Sequence, residues 1–472
     1  MSRSGVAGLA LLALVCFFAP LGDGSLRGDS VTYAAIARRM AESGQWLDMH
    51  VGFSQQVYFN KPPLLIWLTA ALFAVVGPST FTACFWSGLF GVVSVLALYR
   101  LGREALGPRA ALLAACAYTL TPDVLAKATR FRLESASALF TILALDGAFR
   151  AVRSGRPGPL IASGAAIGLC LMTKGGPGLV ALACVLGFLI WARATPLMRS
   201  REAAIGLALM LALGLLWPAI QWLRHGDVYF QVAFGNQLLH RISEPRAYHP
   251  LPYLGHLLTR YWPWLPFCLL GGWQLWREER RGNPETFRLL VSWIGIAVAI
   301  LSLLAGKSGR YLSSVYPAFS LLVGLWLADR VGAARADAFA RVLPKLAAAT
   351  AVVLVCLPFE LRSDEAAGTR DLGVLLDAYQ PEVDHLVAWG RLRYDVKPQI
   401  YFTLRRDLRM LRDTNREALE SDPSAIALSR GGAGEQLERD GWRPLLRTKH
   451  WTAYLRPPAG DAEGPARSRY ER

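Results

Sequence analysis

The chain is built from long apolar blocks that are separated by short polar loops. Twelve such blocks follow one another, at residues 6–21, 62–76, 81–101, 110–124, 133–149, 160–172, 179–191, 203–222, 254–276, 289–304, 311–327 and 346–359. A membrane-spanning helix needs about 20 predominantly apolar residues, and a globular core does not contain so many runs of nearly that length. The pattern therefore predicts a polytopic α-helical membrane protein.

Basic residues concentrate in alternate loops, which the positive-inside rule places in the cytoplasm. These loops lie at residue 3 and at residues 100–109, 150–156, 193–201, 277–288 and 330–345. All of them fall on one side only if the short block 62–76 stays on the outer face instead of crossing. We therefore predict about 11 transmembrane helices plus outer-face juxtamembrane helices, with the N-terminus in the cytoplasm and the C-terminus outside the inner membrane.

The first block, residues 6–21, follows Arg3 and also has the length of the apolar region of a signal peptide. No clear small-x-small cleavage site comes after it. We therefore expect a retained first span, and removal as a signal peptide is the alternative.

The sequence divides into a membrane part and a polar C-terminal part. We expect residues 1–360 to form the transmembrane catalytic domain, with residues 23–80 as its first periplasmic loop. Residues 361–472 have ordinary polar composition, with a helix-like stretch at 415–420 and strand-like stretches at 399–404, 425–429 and 451–455. This alternation predicts a small C-terminal α/β soluble domain in the periplasm.

Composition supports a membrane protein and argues against a nucleic-acid partner. The chain is 53% hydrophobic and 18% charged, whereas a soluble protein carries about 25% charged residues. The net charge of +16 resides mostly in short loops between apolar blocks, where it sets membrane orientation. All seven cysteines lie in or beside apolar blocks without a CxxC pair, so we expect buried apolar residues instead of disulfides or a zinc site.

Lysine is rare in this chain, and its placement is informative. Four of the seven lysines lie in predicted outer loops, which the positive-inside rule disfavours: Lys61, Lys127, Lys174 and Lys307. A compact ammonium charge suits a phosphate, and Gly or Pro beside three of these lysines leaves backbone amides exposed to anions. The alternative is that they snorkel at helix ends, and for Lys127 nothing in the sequence separates the two.

Two carboxylates stand at the predicted outer face. Asp29 precedes an amphipathic stretch, and as an alternative it caps that helix. Glu134 begins the block 133–149 between Arg130 and Arg132, and as an alternative it is an ion-paired helix start. Asp146, near the inner end of the same block, is expected to pair with a nearby arginine.

A set of motifs in a fixed order resembles a known family. It comprises Gly-Asp-Ser-Val-Thr-Tyr at 28–33, Tyr-Phe-Asn-Lys-Pro-Pro at 58–63, Arg-x-x-x-Glu at 130–134, Thr-Lys-Gly at 173–175, and Gly-Lys through Tyr-Pro at 306–317. Over roughly residues 1–330 the order and spacing resemble the aminoarabinose (lipid A) transferases and related protein-mannosyltransferase-like enzymes of the GT-C fold. Each motif alone is weak, and the ordered set is specific.

The resemblance implies an inverting transfer of one sugar from a polyprenyl (undecaprenyl) phosphate to a lipid, glycan or protein acceptor at the outer face. Asp29 matches the family's first-loop aspartate, Lys61 is expected near the donor phosphate, and Glu134 is a second catalytic carboxylate. The remaining candidates are donor-binding or acceptor-contacting residues: Lys174, Lys307, Arg310 and Tyr311 for the donor, and Tyr33, Tyr58, Asn60 and His240 for the acceptor or lipid.

The chain also departs from the family pattern. The family's Asp-Glu pair is Asp29-Ser30, and the aspartate expected at the start of block 133–149 is Glu134. The family's metal-binding glutamate and histidine correspond to Asn60 and Gln237. We therefore assign no metal or cofactor, with a divalent metal as the alternative, and do not assume lipid A as the acceptor. The spacing of His240, His249 and His256 matches no standard metal motif.

Two other functions are compatible with a membrane protein of this kind. One is a non-enzymatic flippase or transporter for a lipid-linked glycan, and the other is a degenerate, lipid-binding family member. A transporter should carry charges deep within its spans and often has internal repeats. Here the charges cluster at the outer ends of the blocks and no repeat is evident, which favours the enzyme.

Overall fold

The computed structural model describes residues 3–21, 26–233, 235, 252–279, 284–303, 309–356, 364–379, 385–411, 415–448 and 450–456. The chain forms two compact units. The first comprises Met1–Asp23, Ala37–His50 and Gln56–Phe359, and the second comprises Gly24–Ile36, Val51–Gln55 and Glu360–Arg472. Two short segments near the N-terminus therefore belong to the same unit as the C-terminal part of the chain.

The first unit is helical. Its described helices, with α2 beginning in the second unit, are α1 (Arg3–Phe18), α2 (Asp29–Ser43), α3 (Leu64–Val76), α4 (Thr80–Leu106), α5 (Pro108–Thr119), α6 (Pro122–Ala128), α7 (Leu133–Ser154), α8 (Pro159–Thr173), α9 (Gly175–Trp191), α10 (Thr195–Met198), α11 (Arg201–His225), α12 (Asp227–Phe230), α13 (Pro252–Arg260), α14 (Leu265–Glu279), α15 (Pro284–Leu303), α16 (Tyr316–Val331) and α17 (Ala333–Cys356). A 3₁₀ helix, Gly309–Ser314, precedes α16.

The sequence sets these helix boundaries by familiar means. Ser79 and Thr82 form a capping box that starts α4, and Pro108, Pro122 and Pro159 occupy first-turn positions where no backbone donor is needed. Gly155 ends α7 in the left-handed conformation. The polar loops of the sequence thus coincide with the ends of helices.

Proline also explains where the predicted blocks differ from the helices. Block 110–124 is divided between α5 and α6 at Pro122, and block 254–276 is divided between α13 and α14 by a turn that contains Pro263. Proline cannot continue a preceding helix without losing a hydrogen bond. Block 311–327 begins as a 3₁₀ helix before α16 starts at Tyr316, next to Pro317.

Helices α8 and α11 approach each other closely through glycine. A Cβ atom built on Gly164 would lie 2.1 Å from the Gly206 carbonyl oxygen, and one on Gly206 would lie 2.5 Å from the Leu160 carbonyl oxygen. Small residues at such crossings let helix backbones touch, which is a common way to pack helices in a membrane. This packing holds α8, and with it the α8–α9 junction at Lys174, against α11.

In the described part of the chain, four helices are long and apolar enough to cross a membrane by length and composition. They are Thr80–Leu106, Leu133–Ser154, Arg201–His225 and Pro284–Leu303. Shorter apolar helices include Leu64–Val76, the block that we expect on the outer face. The first unit is therefore an α-helical membrane unit, and the number of spans stays a prediction.

The second unit contains a five-stranded mixed sheet with strand order β2-β1-β3-β5-β4. Its elements are α18 (Asp364–Tyr379), β1 (His385–Trp389), α19 (Val396–Leu404), β2 (Asp407–Leu411), α20 (Arg416–Ser421), β3 (Ile426–Ser429), α21 (Gly432–Arg439), β4 (Arg443–Arg447) and β5 (Thr452–Leu455). Strand β1 is parallel to β2 and β3, and β5 is antiparallel to β3 and β4.

Both faces of this sheet are covered by apolar side chains. Along β1, Leu386 and Ala388 belong to one buried cluster, and Val387 and Trp389 belong to another, as the two-residue period of a strand requires. The predicted helix at 415–420 and strands at 425–429 and 451–455 are confirmed as α20, β3 and β5. The predicted strand at 399–404 is wrong, because these residues form the end of α19.

We expect the α3–α4 loop to face outward. In Pro78→Cys, a thiol in this exposed loop should react with a membrane-impermeant maleimide on intact cells, because we expect α3 to stay on the outer face. The six described cysteines are buried, so the native background should be low. Ser154→Cys, at the exposed last residue of α7, is the matched control on the side that we expect to be cytoplasmic and should react only after permeabilisation. Reaction of Pro78→Cys only after permeabilisation would contradict the topology.

Candidate active site

A buried ion pair joins two of the predicted site residues. Glu134 lies in the first turn of α7, and Lys174 is the single residue between α8 and α9. Lys174 Nζ donates to Glu134 Oε1 over 2.8 Å, and the two side chains are only 13% and 7% exposed. The same ammonium group lies 5.9 Å from the centre of the Tyr311 ring. The structure therefore brings Glu134, Lys174 and Tyr311 together.

This pair changes what Lys174 can do. An ammonium group already neutralised by a buried carboxylate attracts a further anion weakly, so Lys174 is first of all the partner of Glu134. Glu134 is ion-paired, as the alternative interpretation of the sequence required, but the ion-pair partner in the structure comes from 40 residues away.

A second charged group lies on the short helix α6. Lys127 Nζ lies 2.5 Å from Asp123 Oδ2, and His256 Nε2 lies 3.6 Å from the same oxygen. Burial lowers the pKa of Lys127, and the negative charges of Asp123 and Glu134 oppose this shift without cancelling it. Asp123 was not among the predicted site residues, although the four-residue spacing of Asp123 and Lys127 is typical of a helical ion pair.

The loop that carries Tyr58, Asn60 and Lys61 is anchored within the first unit. An isolated β-bridge joins His50 to Val57, and the Tyr58 amide donates to the Met49 carbonyl oxygen over 2.6 Å. All three candidate side chains in this loop are half-buried. The Lys-Pro-Pro segment thus has a defined backbone course immediately before α3.

Asp48 is the charged anchor of this loop, and no sequence motif points to it. Arg224 Nη2 donates to Asp48 Oδ2 over 2.7 Å, and His225 Nε2 lies 2.9 Å from Oδ1, both at the end of α11. Burial raises the pKa of Asp48, but hydrogen bonds and charge from Arg224 and His225 outweigh it and hold the pKa below its usual value. The loop therefore stays attached while Asp48 is ionised.

Asp29 lies in the second unit, as the first residue of α2. It occupies the first turn instead of the cap position, which Gly28 takes with a φ of +57°. The backbone amide of Gly28 donates to Asp395 Oδ2 over 2.8 Å. Tyr33, one turn further along α2, is buried. The predicted convergence of Asp29 with Lys61 and Glu134 on one surface stays a prediction.

Comparison of the sequence with known families gives a consistent match. The dolichyl-phosphate-mannose-protein mannosyltransferase family matches residues 60–222, which include Lys61, Glu134 and Lys174. An undecaprenyl phosphate-α-4-amino-4-deoxy-L-arabinose arabinosyl transferase of Edwardsiella ictaluri is 28% identical over 78% of this chain and 68% of its own length. The enzyme of the same name from Pseudomonas savastanoi pv. phaseolicola is 31% identical over 70% of this chain and 63% of its own length.

Comparison of the folds extends the match over nearly the whole chain. The crystal structure of ArnT from Cupriavidus metallidurans bound to undecaprenyl phosphate has a TM-score of 0.75 and 18% identity, covering 96% of this chain and 98% of that one. The chain is thus similar in sequence to the aminoarabinose transferases and the protein mannosyltransferases, and it has the GT-C fold. The oligosaccharyltransferase of Archaeoglobus fulgidus shares the fold more distantly, with a TM-score of 0.57 over 86% of this chain and 64% of its own.

Several of the predicted site residues lie outside the part of the chain that the structure describes. They are Lys307, His240 and Gln237, and the side chain of Arg310. Asn60 offers a neutral amide where the family resemblance expects a carboxylate ligand. Among the residues that the structure does describe, no cluster of three or more His, Cys, Asp or Glu side chains is arranged to hold a metal ion. Asn60 therefore does not fit the metal site that the resemblance implies, and the expectation of no metal stays a prediction.

Loss of either partner of the Glu134–Lys174 pair should lower the stability of the folded protein. Glu134→Gln or Lys174→Met leaves one buried charge without its partner, which costs about 3–5 kcal/mol. The double variant Glu134→Gln/Lys174→Met should regain much of this loss, measured as the unfolding midpoint in detergent. Glu420→Gln, in the exposed Arg416–Glu420 pair, is the matched control and should change stability by less than about 1 kcal/mol. Simple addition of the two single effects would contradict the pairing.

Proposed function

We propose that this protein is an inverting glycosyltransferase that moves one sugar from an undecaprenyl phosphate carrier to an acceptor at the outer face of the bacterial inner membrane. Its relatives in Edwardsiella and Pseudomonas are named as transferases that use undecaprenyl phosphate-linked aminoarabinose. We propose the same class of donor for this chain. The acceptor is a lipid, glycan or protein that presents a hydroxyl group.

The main support for the proposal is a group of ionisable side chains that lie buried at one place in the apolar helical unit. Glu134 and Lys174 pair at the start of α7, and Lys127 of α6 lies within the electrostatic influence of both. Ionisable groups buried in a membrane protein are costly and mark substrate or ion sites. In a GT-C glycosyltransferase, we propose that this site faces the reacting end of the lipid-linked donor.

The transfer needs a base for the acceptor and a stable leaving group. The acceptor oxygen forms a bond to the anomeric carbon on the face opposite the phosphate, and the bond from that carbon to the phosphate oxygen breaks. The bonding electron pair leaves with undecaprenyl phosphate, so the configuration inverts. We place the Asp29 carboxylate as the base that takes the acceptor proton. Charge develops on the anomeric carbon as in glycoside hydrolysis, which favours nearby carboxylates.

The leaving phosphate requires cations. We place Lys61 there first, because Lys174 is already neutralised by Glu134 in the structure. Lys307 and Arg310 precede α16 in the sequence and are proposed as further phosphate ligands, with Tyr311 beside Lys174. Glu134 is proposed as the second carboxylate near the sugar, and Tyr58 and Asn60 as contacts to the acceptor or lipid.

The rival function is a flippase for the same lipid-linked sugar. Such a protein would move the carrier without breaking the sugar–phosphate bond. Analysis of envelope lipids and glycans after deletion of this protein separates the two, because a transferase leaves one glycan without its sugar. Accumulation of the carrier on the inner leaflet would support the flippase.

Removal of the proposed base should abolish most transfer. Asp29→Asn keeps the size of the side chain but cannot take a proton, so the rate should fall about 10²–10⁴-fold. The measurement is sugar transfer in membranes supplied with a polyprenyl-phospho-sugar. Asp371→Asn, at an exposed position of α18, is the matched control and should retain full activity. Full transfer by Asp29→Asn would refute the assigned role.

Removal of the proposed phosphate cation should impair the same reaction. In Lys61→Met the leaving phosphate loses a stabilising charge, so kcat/KM should fall about 10²–10³-fold, whereas Lys61→Arg should recover part of it. Lys345→Met, an exposed lysine in α17, serves as the control and should behave as the unaltered protein. Equal activity of Lys61→Met and the control would exclude Lys61 from the donor site.

A further inference from the structure

Asp395 of the second unit makes an unusual contact with the segment that carries Asp29. It lies immediately before α19, and the residue is 1% exposed. Its Oδ2 atom accepts a hydrogen bond from the Gly28 amide over 2.8 Å and one from Arg393 Nη2 over 2.6 Å. Residues 28 and 395 are 367 positions apart in the chain. A buried, charge-assisted contact thus fixes the backbone next to the proposed base.

Gly28 is restricted by its own conformation. Its φ is +57°, which favours glycine, and a Cβ atom there would lie 2.8 Å from the Tyr394 hydroxyl oxygen. Tyr394 is 68% exposed and can move aside, so the backbone angle is the stronger constraint. The turn that leads into Asp29 therefore has one defined course, with its amide directed at Asp395.

The same helix, α19, also holds the second early segment of this unit. A Cβ atom on Gly52 would lie 3.0 Å from the Tyr401 ring, and the Phe53 and Tyr401 rings meet edge to face with centroids 4.9 Å apart. Asp395 and Tyr401 thus bind two segments of the first loop to one element of the C-terminal part.

We propose that Asp395 is a positioning residue for Asp29, an inference that rests on the proposed function. Asp395 does not touch the reacting atoms. It accepts the Gly28 amide and so sets where α2 begins and where the Asp29 carboxylate stands. Its other oxygen, Oδ1, is buried and accepts no hydrogen bond from the described residues. A buried oxygen atom without a hydrogen bond costs free energy. We infer that the contact made by Oδ2 offsets this cost.

The test compares Asp395→Asn with a buried aspartate elsewhere in the same unit. Misplacement of a catalytic group by about 1 Å costs about 10²-fold, so kcat of Asp395→Asn should fall about 10–100-fold with the donor KM nearly unchanged. Asp422→Asn is the matched control, because Asp422 is buried and pairs with His385 and Arg409 instead of the Gly28 segment. An equal loss of kcat in Asp422→Asn would overturn the proposal, since general weakening of the unit would then explain both.

A double variant asks whether Asp395 acts through Asp29. In an Asp29→Asn background, Asp395→Asn should cause no further loss of transfer, because the group that it positions is already inactive. A further loss as large as in the unaltered protein would show that Asp395 acts independently of Asp29. Gly28→Ala disturbs the same turn from the other side and should reproduce the fall in kcat if Asp395→Asn does not fold.

Hydrogen exchange separates this proposal from the proposed function. The amides of residues 26–36 should exchange faster in Asp395→Asn than in Asp422→Asn, whether or not the protein transfers sugar. Unchanged exchange would overturn the positioning role. Faster exchange together with a fully active Asp29→Asn would instead remove Asp29 as the base and leave the structural contact intact.

Discussion

The cost of burying charge in an apolar helical unit is the constraint on which the first unit depends. Among the described residues, its buried carboxylates are paired: Glu134 with Lys174, Asp123 with Lys127, and Asp146 with the exposed Arg100. A single buried ion would cost several kcal/mol, and a pair reduces that cost only when the geometry is good. The pairing therefore reduces the positive charge that Lys127 and Lys174 can offer to a substrate. Lys127 and Lys174, each paired with a carboxylate, first of all stabilise the folded unit, and Lys61 stays our proposed partner of the leaving phosphate.

The loops are correspondingly well anchored. Asp48 fastens the Lys-Pro-Pro loop to the end of α11 within the first unit. Asp395 fastens the turn before Asp29 within the second unit. In each case a carboxylate contact between residues far apart in the sequence fixes the backbone near a proposed functional side chain. Such anchoring reduces the reorganisation that a catalytic group would otherwise need, which is how enzymes gain from rigid support.

The part of the fold that depends on local sequence patterns could be predicted from the sequence. The apolar blocks and the pairing of Asp146 with an arginine follow from periodicity and charge, and the structure confirms the pairing with Arg100. The strand predicted at 399–404 failed because Ile400 and Tyr401 are buried on one side of a helix, and tertiary packing outweighs strand propensity. The contact between Gly28 and Asp395 leaves no local pattern, since neither residue type at either position indicates the other.

The pairing also separates the roles of the two proposed carboxylates. Glu134 is fixed as an anion by Lys174, so taking a proton would break a buried ion pair and leave Lys174 without its partner. A group in that setting is unsuited to take a proton, and it offers the sugar ring a fixed negative charge that Lys174 partly offsets. Asp29 begins α2 directly after the Gly28 turn, whose backbone amide is held by Asp395. It can accept the proton of the acceptor without dismantling the Glu134–Lys174 pair, and this asymmetry is why we assign the base to Asp29 and the electrostatic role to Glu134.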